Sequence, residues 1–295
     1  MGISALRNIL LNADQSNWHN LIKDYLKSKD LFYGHGTLSA NDEAFWIVNF
    51  LKREHADDKA SALTQLFDIL QERVGKRLPL AYVLGEAYFA TLPFIITTDV
   101  IVPRSPIAEL ILDDFLPWIT LNNSDRVLEL CTGCGCIALA IAHFNPGTIV
   151  DATDISSAAI KLSRSNAKRL NLHKAVSFYE VDLFPETKHQ YKLIVSNPPY
   201  VPSSHIQDLP AEFKHEPVIA FDGGQNGLVL VDRIIKESIK YLTDDGSLIL
   251  EVGEIHEYFS SKYQALNPVW IALHNGGEGV CIISKTDLMN YFLNS

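Results

Sequence analysis

From residue 126 onward short apolar runs alternate with stretches of helical periodicity, and this alternation decides the fold class. Arg126–Leu130 (RVLEL) reads as a strand and Cys136–Phe144 as a helix; Thr148–Thr153 and Ser157–Leu170 repeat the pair. Val176–Glu180 and Leu193–Ser196 supply two more strands, Val229–Leu242 a helix, and Gly246–Val252 a fifth strand. Alternating β and α units imply a parallel, doubly wound α/β sheet. Val269–Leu273 and Val280–Ser284 flank HNGGEG and predict a closing antiparallel hairpin.

The preceding residues follow other rules. In residues 1–77, Trp18, Leu21, Ile22, Tyr25 and Leu26 recur at helical spacing, as do Phe45, Val48, Phe50 and Leu51. A third set is Leu63, Leu66, Phe67, Ile69, Leu70 and Val74, with Ser61 as expected N-cap and Gly75 as expected stop. Tyr33–Thr37 (YGHGT) is a turn whose His35 reads as structural, with no partner acid or nucleophile near it in sequence. AYVLGEAYF and LPFIITTDVIV, punctuated by Gly85, Pro93 and Pro103, read as β-runs of a hairpin linker over 78–104. The third region is 105–295.

Hydrophobic content of 47% with 20% charged residues is ordinary globular composition. No apolar run nears the ~20 residues that span a bilayer. MGISALRNILLNADQ has neither a basic n-region nor a small-residue cleavage site, so a soluble cytoplasmic protein is expected. Residues 1–80 hold 10 basic and 10 acidic side chains, so the whole net charge of −10 falls in residues 81–295. That balance disfavours nucleic acid and suits a basic protein partner. Cys131, Cys134 and Cys136 are spaced C-x-x-C-x-C, but no second ligand pair follows, so small thiols in a turn are favoured over zinc.

The first strand runs into Glu129-Leu-Cys131-Thr132-Gly133-Cys-Gly135-Cys-Ile-Ala. Gly133 and Gly135 permit a tight turn and close approach of a ligand, and the next helix offers amide donors. Alone, G-x-G-x-x-A is weak. Asp154, just beyond strand two, is placed to bond both hydroxyls of a ribose. Asp182, beyond strand three, is placed for an adenine amino group, with Leu183 or Phe184 against the ring. A helix N-cap is the competing account of Asp154, and Ser156 can fill that role instead. No basic cluster awaits a pyrophosphate, and Glu129 is placed for a methionine amino group, which favours S-adenosylmethionine over a nicotinamide cofactor.

The decisive stretch is Asn197-Pro198-Pro199-Tyr200 at the tip of strand four. Pro199 holds residue 198 extended, and neither proline has an N–H. The Asn197 side chain and the Pro198 carbonyl then converge as two acceptors on one planar NH₂ group, with Tyr200 as a wall. An amide nitrogen is a poor nucleophile; binding both of its N–H groups favours the charge-developing transition state.

With these residues in view, the chain resembles the bacterial protein-glutamine methyltransferases over nearly its whole length. NPPY is shared with nucleic-acid amino methyltransferases, but RLPLAYVLGEAYFATLPFIITTDVIVPR, HEPVIAFDGGQNGL and LILEVG look like the glutamine pattern. The resemblance implies a helical substrate-recognition domain, a β-hairpin linker and a Rossmann-like seven-stranded S-adenosylmethionine domain. YGHGT, VPRSPIAE and Cys131 resemble the branch acting on the third protein of the large ribosomal subunit, not the release-factor branch. Cys134 is unusual where Ser is common. By resemblance Gly133, Gly135, Asp154 and Asp182 hold the cofactor, joined by Glu129, Cys131, Thr132, Ile155, Leu183, Phe184 and Asn197. Asn197 and Pro198 hold the substrate amide, Tyr200 completes the catalytic corner, and Pro199, Arg104 and Glu109 line the substrate pocket. His215 and Glu216 order the loop over it. The expected partner is a basic ribosomal protein, with ribosomal RNA touched only indirectly, and neither DNA nor membrane. The alternatives are methylation of the release-factor GGQ glutamine, of an exocyclic base amine, or a non-catalytic ribosome-binding module.

Overall fold

The computed structural model describes residues 2–56, 58–274 and 276–293. Two compact units are present. One takes in residues up to Ala87 with Ile96–Thr98 and Pro210–His215; the other takes Tyr88–Ile95, Asp99–Leu209 and Glu216 onward.

The first unit is built from α1 (Ile3–Asn12), α2 (Trp18–Lys27), α3 (Ala40–His55), α4 (Lys59–Leu70) and α5 (Leu80–Leu84). Leu6, Leu10, Ile22, Leu26, Ile47, Leu66 and Leu70 are fully buried at its centre. Ser39 caps α3 by accepting from the Asp42 N–H, and Asp42 and Glu43 complement the helix dipole in the first turn. Ala44, Ile47, Val48 and Leu51 form its buried seam, whereas Phe45 points out at 62% exposure. Asp58, not Ser61, caps α4: it accepts from the N–H groups of Ala60 and Ser61, and the Ser61 hydroxyl donates to it at 2.6 Å. The helix starts at Lys59, so Asp58 meets its first orphan donors and Ser61 already lies inside the first turn. AYVL is a helical turn and not a strand. Pro79 presets its entry, Gly85 at φ 70° ends it, and Leu80 and Ala81 are buried.

Arg73 is the largest fully buried side chain of this unit. Its Nε donates to both oxygens of Glu43 at 2.9 Å, Nη1 to Glu212 at 3.0 Å and Nη2 to the Phe32 carbonyl at 2.8 Å. Arg77 forks onto Glu212 at 2.7 and 2.9 Å. Burial alone pushes the Glu212 carboxyl up, but the two arginines and the Phe32 N–H bring it down to about 2. His35 is buried against the rings of Phe32 and Phe213, a packing role as expected.

In the second unit the hairpin strands β1 (Glu86–Phe89, entered from the first unit) and β2 (Leu92–Ile95) precede α6 (Ile107–Leu112). There follow β3 (Arg126–Leu130), α7 (Cys136–Phe144), β4 (Ile149–Asp154), α8 (Ser157–Arg169), β5 (Val176–Glu180) and β6 (Tyr191–Ser196). The unit closes with α9 (Val229–Tyr241), β7 (Leu242–Glu251), α10 (His256–Lys262), β8 (Val269–Trp270), β9 (Val280–Ser284) and α11 (Lys285–Leu293). Strand order is β5-β4-β3-β6-β7-β9-β8, parallel from β5 to β7 and antiparallel at β9 and β8. This is the expected Rossmann-like sheet. The closing hairpin forms, though Asn275 in its connection lies outside the described residues. Leu130 stands level with Thr153 of β4 and Ser196 of β6, so the strand tips emerge along one edge. Strand order reverses between β3 and β6, the position at which such sheets open a crevice.

Candidate active site

The turn after β3 is held from beneath. Glu129 is buried, and its Oε2 accepts from the Thr132 hydroxyl and, at 2.9 Å, from the Ala138 N–H at the start of α7. Burial lifts its carboxyl to about 8 against the pull of those two hydrogen bonds. Gly133 is open on the side where a Cβ would stand, and its N–H donates to Asp154 Oδ2 at 2.8 Å. The other Asp154 oxygen accepts from the Ser156 N–H at 2.9 Å, while the Ser156 hydroxyl caps α8 through the Ala159 N–H. Desolvation raises the Asp154 carboxyl despite these bonds.

Gly135 serves packing. At φ 84° a Cβ would sit 2.9 Å from Ser163 Cβ and 3.3 Å from Leu139 and Phe178. Asn166, fully buried on α8, ties the same turn to the hairpin: Nδ2 donates to the carbonyls of Ile95 and Cys134, and Oδ1 accepts from the Ile95 N–H. Gly135→Ala is therefore expected to cost about 3 kcal/mol, combining a left-handed Cβ with overpacking. A denaturant midpoint unchanged from the parent would contradict that reading of Gly135.

A cavity of about 260 Å³ opens above the strand tips. Cys131, Gly133, Asp154 and Ile155 line it from β3 and β4, Asp182 and Leu183 from β5, and Asn197 and Pro199 from β6. Cys131 and Leu183 both take left-handed backbone, at φ 60° and 63°. Such angles cost a side-chain-bearing residue on the order of 1–2 kcal/mol and place these two directly on the wall. The Asn197 side chain makes no hydrogen bond to any described residue, so its amide is available to a guest.

Comparison with known proteins adds what geometry alone does not decide. The family profile described as Methyltransferase small domain matches residues 111–213. The ribosomal protein uL3 glutamine methyltransferase of Francisella tularensis subsp. tularensis is 35% identical over 94% of this chain and 93% of its own. Its namesake in Xanthomonas campestris pv. campestris is 38% identical over 88% and 87%, and that of Bordetella pertussis 35% over 86% and 89%. The chain belongs to the ribosomal protein uL3 glutamine methyltransferase family. In fold it is similar to the hMettl16 catalytic domain solved in complex with MAT2A 3′UTR hairpin 1. That likeness has a TM-score of 0.52 and 14% identity, over 80% of this chain and 89% of that one.

The methyl donor of this uL3 glutamine methyltransferase family member is S-adenosylmethionine. The cavity fits it. A half-buried carboxylate stands at the second strand tip for vicinal hydroxyls, an acid and a leucine at the third for an aminopurine, and a bare glycine turn between them. Other residues singled out in the sequence lie off the cavity wall. Glu129, Thr132 and Gly135 form the turn behind it. Phe184 stacks on Tyr241 in the core at 4.7 Å, which leaves Leu183 as the apolar wall. Pro198 is buried. Tyr200 donates to Glu251 at 3.1 Å, and its ring fills the space where a Gly253 side chain would stand. Arg104 forks onto buried Glu216 at 2.7 and 3.0 Å, and Glu216 also accepts from the Val102 N–H. Glu109 accepts from the His274 N–H at 2.6 Å, so Arg104 and Glu109 serve separate anchors. Asp99–Ile101, Pro217, Ile219, Leu230 and Arg233 line the cavity without having been singled out. Pro217 and Ile219 lie in HEPVIAFDGGQNGL, a segment with no local pattern that marks which side chains face a ligand.

Glu251 gives the methyltransferase a pH signature. It is buried at the end of β7 and accepts from Ser105 Oγ at 2.5 Å and from Tyr200. Burial raises its carboxyl from 4.5 to about 7, partly offset by those hydroxyls. The folded protein thus takes up a proton between about pH 4.5 and 7. This group favours folding at low pH and opposes it increasingly as pH rises through that window, by on the order of 3 kcal/mol. Glu129, at about 8, acts in the same direction. Melting temperature against pH is expected to flatten in Glu251→Gln across this range; a slope equal to the parent's would refute the assignment.

Proposed function

We propose that the protein transfers a methyl group from S-adenosylmethionine to the side-chain amide nitrogen of a glutamine in ribosomal protein uL3. The observation that carries the chemistry is the unpartnered Asn197 amide on the cavity wall, set in Asn197-Pro198-Pro199-Tyr200. The substrate follows from the three relatives named for uL3, each matching most of this chain. The cofactor supplies a methyl group on positively charged sulfur. Asp154 takes the ribose hydroxyls, Asp182 and Leu183 the adenine, and Cys131, Gly133 and Ile155 pack against it.

Asn197 Oδ1 and the Pro198 carbonyl accept the two hydrogens of the substrate amide. As the N–CH₃ bond forms, the S–CH₃ bond breaks, its electron pair stays on sulfur and S-adenosylhomocysteine leaves. Positive charge developing on the nitrogen strengthens both hydrogen bonds, so the pair stabilises the transition state more than the ground state, and the nitrogen then gives one proton to solvent. Glu129 and Gly135 hold the glycine turn. Tyr200, pinned by Glu251, fixes the corner that carries Asn197; it acts as a positioning residue. Arg104 and Glu216 anchor the segment that brings Pro217 and Ile219 to the cavity.

The helical unit is the part we assign to recognition of the protein substrate. The acidic balance of residues 81–295 complements a basic partner. No described helix is long and apolar enough to cross a membrane, and the relatives' ribosomal substrate supports a cytoplasmic reading. The test offers purified uL3 and a purified release factor separately with labelled cofactor. Label on uL3 alone is expected; label on the release factor alone would reassign the substrate.

A further inference from the structure

Asp182 does not face the cavity unaccompanied. Arg233, one turn into α9, donates from Nη1 and Nη2 to its two carboxylate oxygens at 3.1 and 3.0 Å. Both residues line the cavity, beside Leu183 and Leu230. Arg233 Nε also lies 3.8 Å from Glu237, one turn further along α9. Asp154, another carboxylate on the wall, is held instead by the backbone N–H groups of Gly133 and Ser156.

A planar guanidinium gripping both oxygens fixes the plane of the carboxylate, which a half-exposed aspartate would otherwise sample freely. Each oxygen keeps one lone pair outside the fork. The cation also offsets the aspartate's charge, so this end of the cavity favours a neutral donor over a second cation. A purine amino group is such a donor; a purine carbonyl at the same position would face the lone pair of an acceptor.

We propose that Arg233 is the positioning residue for purine selection: it presets Asp182 to accept the adenine amino group and to reject a 6-oxopurine. The proposal rests on the reading above that the adenine end of S-adenosylmethionine lies at Asp182. As an ion pair between partly exposed side chains, the contact contributes little to folding, so its loss acts on recognition.

The experiment measures dissociation constants by calorimetry, without any protein substrate. The two ligands are S-adenosylmethionine and its hypoxanthine analogue, in which oxygen replaces the adenine amino group. The proteins are the parent, Arg233→Ala, Arg233→Lys and Asp182→Ala. The parent is expected to prefer the adenine ligand, and Arg233→Ala to weaken that preference about tenfold while its melting temperature stays near the parent's. Lysine restores charge without the fork and is expected to recover only part of the preference. A preference unchanged in Arg233→Ala, while Asp182→Ala loses it, would overturn the role of Arg233 alone. So would equal weakening of both ligands in Arg233→Ala. A parent that does not discriminate would overturn the placement of adenine at Asp182 and the proposal with it.

Discussion

Asn197→Ala is expected to lower the rate of methyl transfer by about 10²–10³ or more while leaving affinity for S-adenosylmethionine little changed. Loss of one preorganised polar group at a centre of developing charge carries that magnitude. Asn197 is one of many cavity-lining residues, so its side chain contributes a minor share of cofactor contact. Its amide, however, is half of the pair that holds the substrate nitrogen. Single-turnover rates and a cofactor titration on the same preparation separate the two effects. A preserved rate would remove Asn197 from the chemistry, and a matching loss of cofactor affinity would make it a cofactor ligand only.

Arg73→Ala is the substitution expected to damage the fold most. It deletes the partner of Glu43, which is 2% exposed, and one of two arginines on fully buried Glu212. Among the described residues, the Thr37 hydroxyl at 3.5 Å is the side-chain contact that Glu43 would keep. Breaking a buried pair in this one-sided way costs about 3–5 kcal/mol, because a charge stays behind without compensation. Burial already raises the Glu43 carboxyl against the pull of Arg73. Without Arg73 the carboxyl rises further, and the folded variant takes up a proton. Its deficit relative to the parent is therefore expected to narrow as pH falls. Urea unfolding at several pH values measures this; a deficit below about 1 kcal/mol would mean that the network does little for folding.

The fold was legible where burial follows periodicity. Strands β3 to β6 are short apolar runs, and their alternation with α7 and α8 implied a parallel, doubly wound sheet, though not its strand order. Legibility failed where context outweighs pattern. The polar start of β7 at Thr243-Asp244-Asp245 carries no strand signal, yet the strand begins at Leu242. AYVL has strand composition, but Pro79 and Gly85 bracket it as one helical turn. Pro210–His215 groups with the helical unit because Glu212 meets Arg73 and Arg77, a pairing across more than a hundred residues that no local pattern encodes.

The site divides along the same line. Gly133, Asp154, Asp182 and Asn197 were readable because each follows a strand at its C-terminal tip, and the sheet brings those tips together. Spacing cannot say which neighbour turns inward. Glu129 and Asp154 are both strand-tip acids, but Glu129 folds under the turn and Asp154 lines the cavity. Leu183 and Phe184 are adjacent and both buried, yet only Leu183 also borders the cavity, while Phe184 stacks on Tyr241. Arg233 sits on an amphipathic helix face like any solvated cation, and only its distance to Asp182 distinguishes it.

The most direct test of the proposed reaction uses a lysate of cells that lack this protein. Incubation with the purified protein and labelled S-adenosylmethionine, followed by peptide mass spectrometry, reads acceptor and atom together. One methyl group on the side-chain nitrogen of a single uL3 glutamine is the expected result. Label on nucleic acid, or on any protein residue other than glutamine, would contradict it.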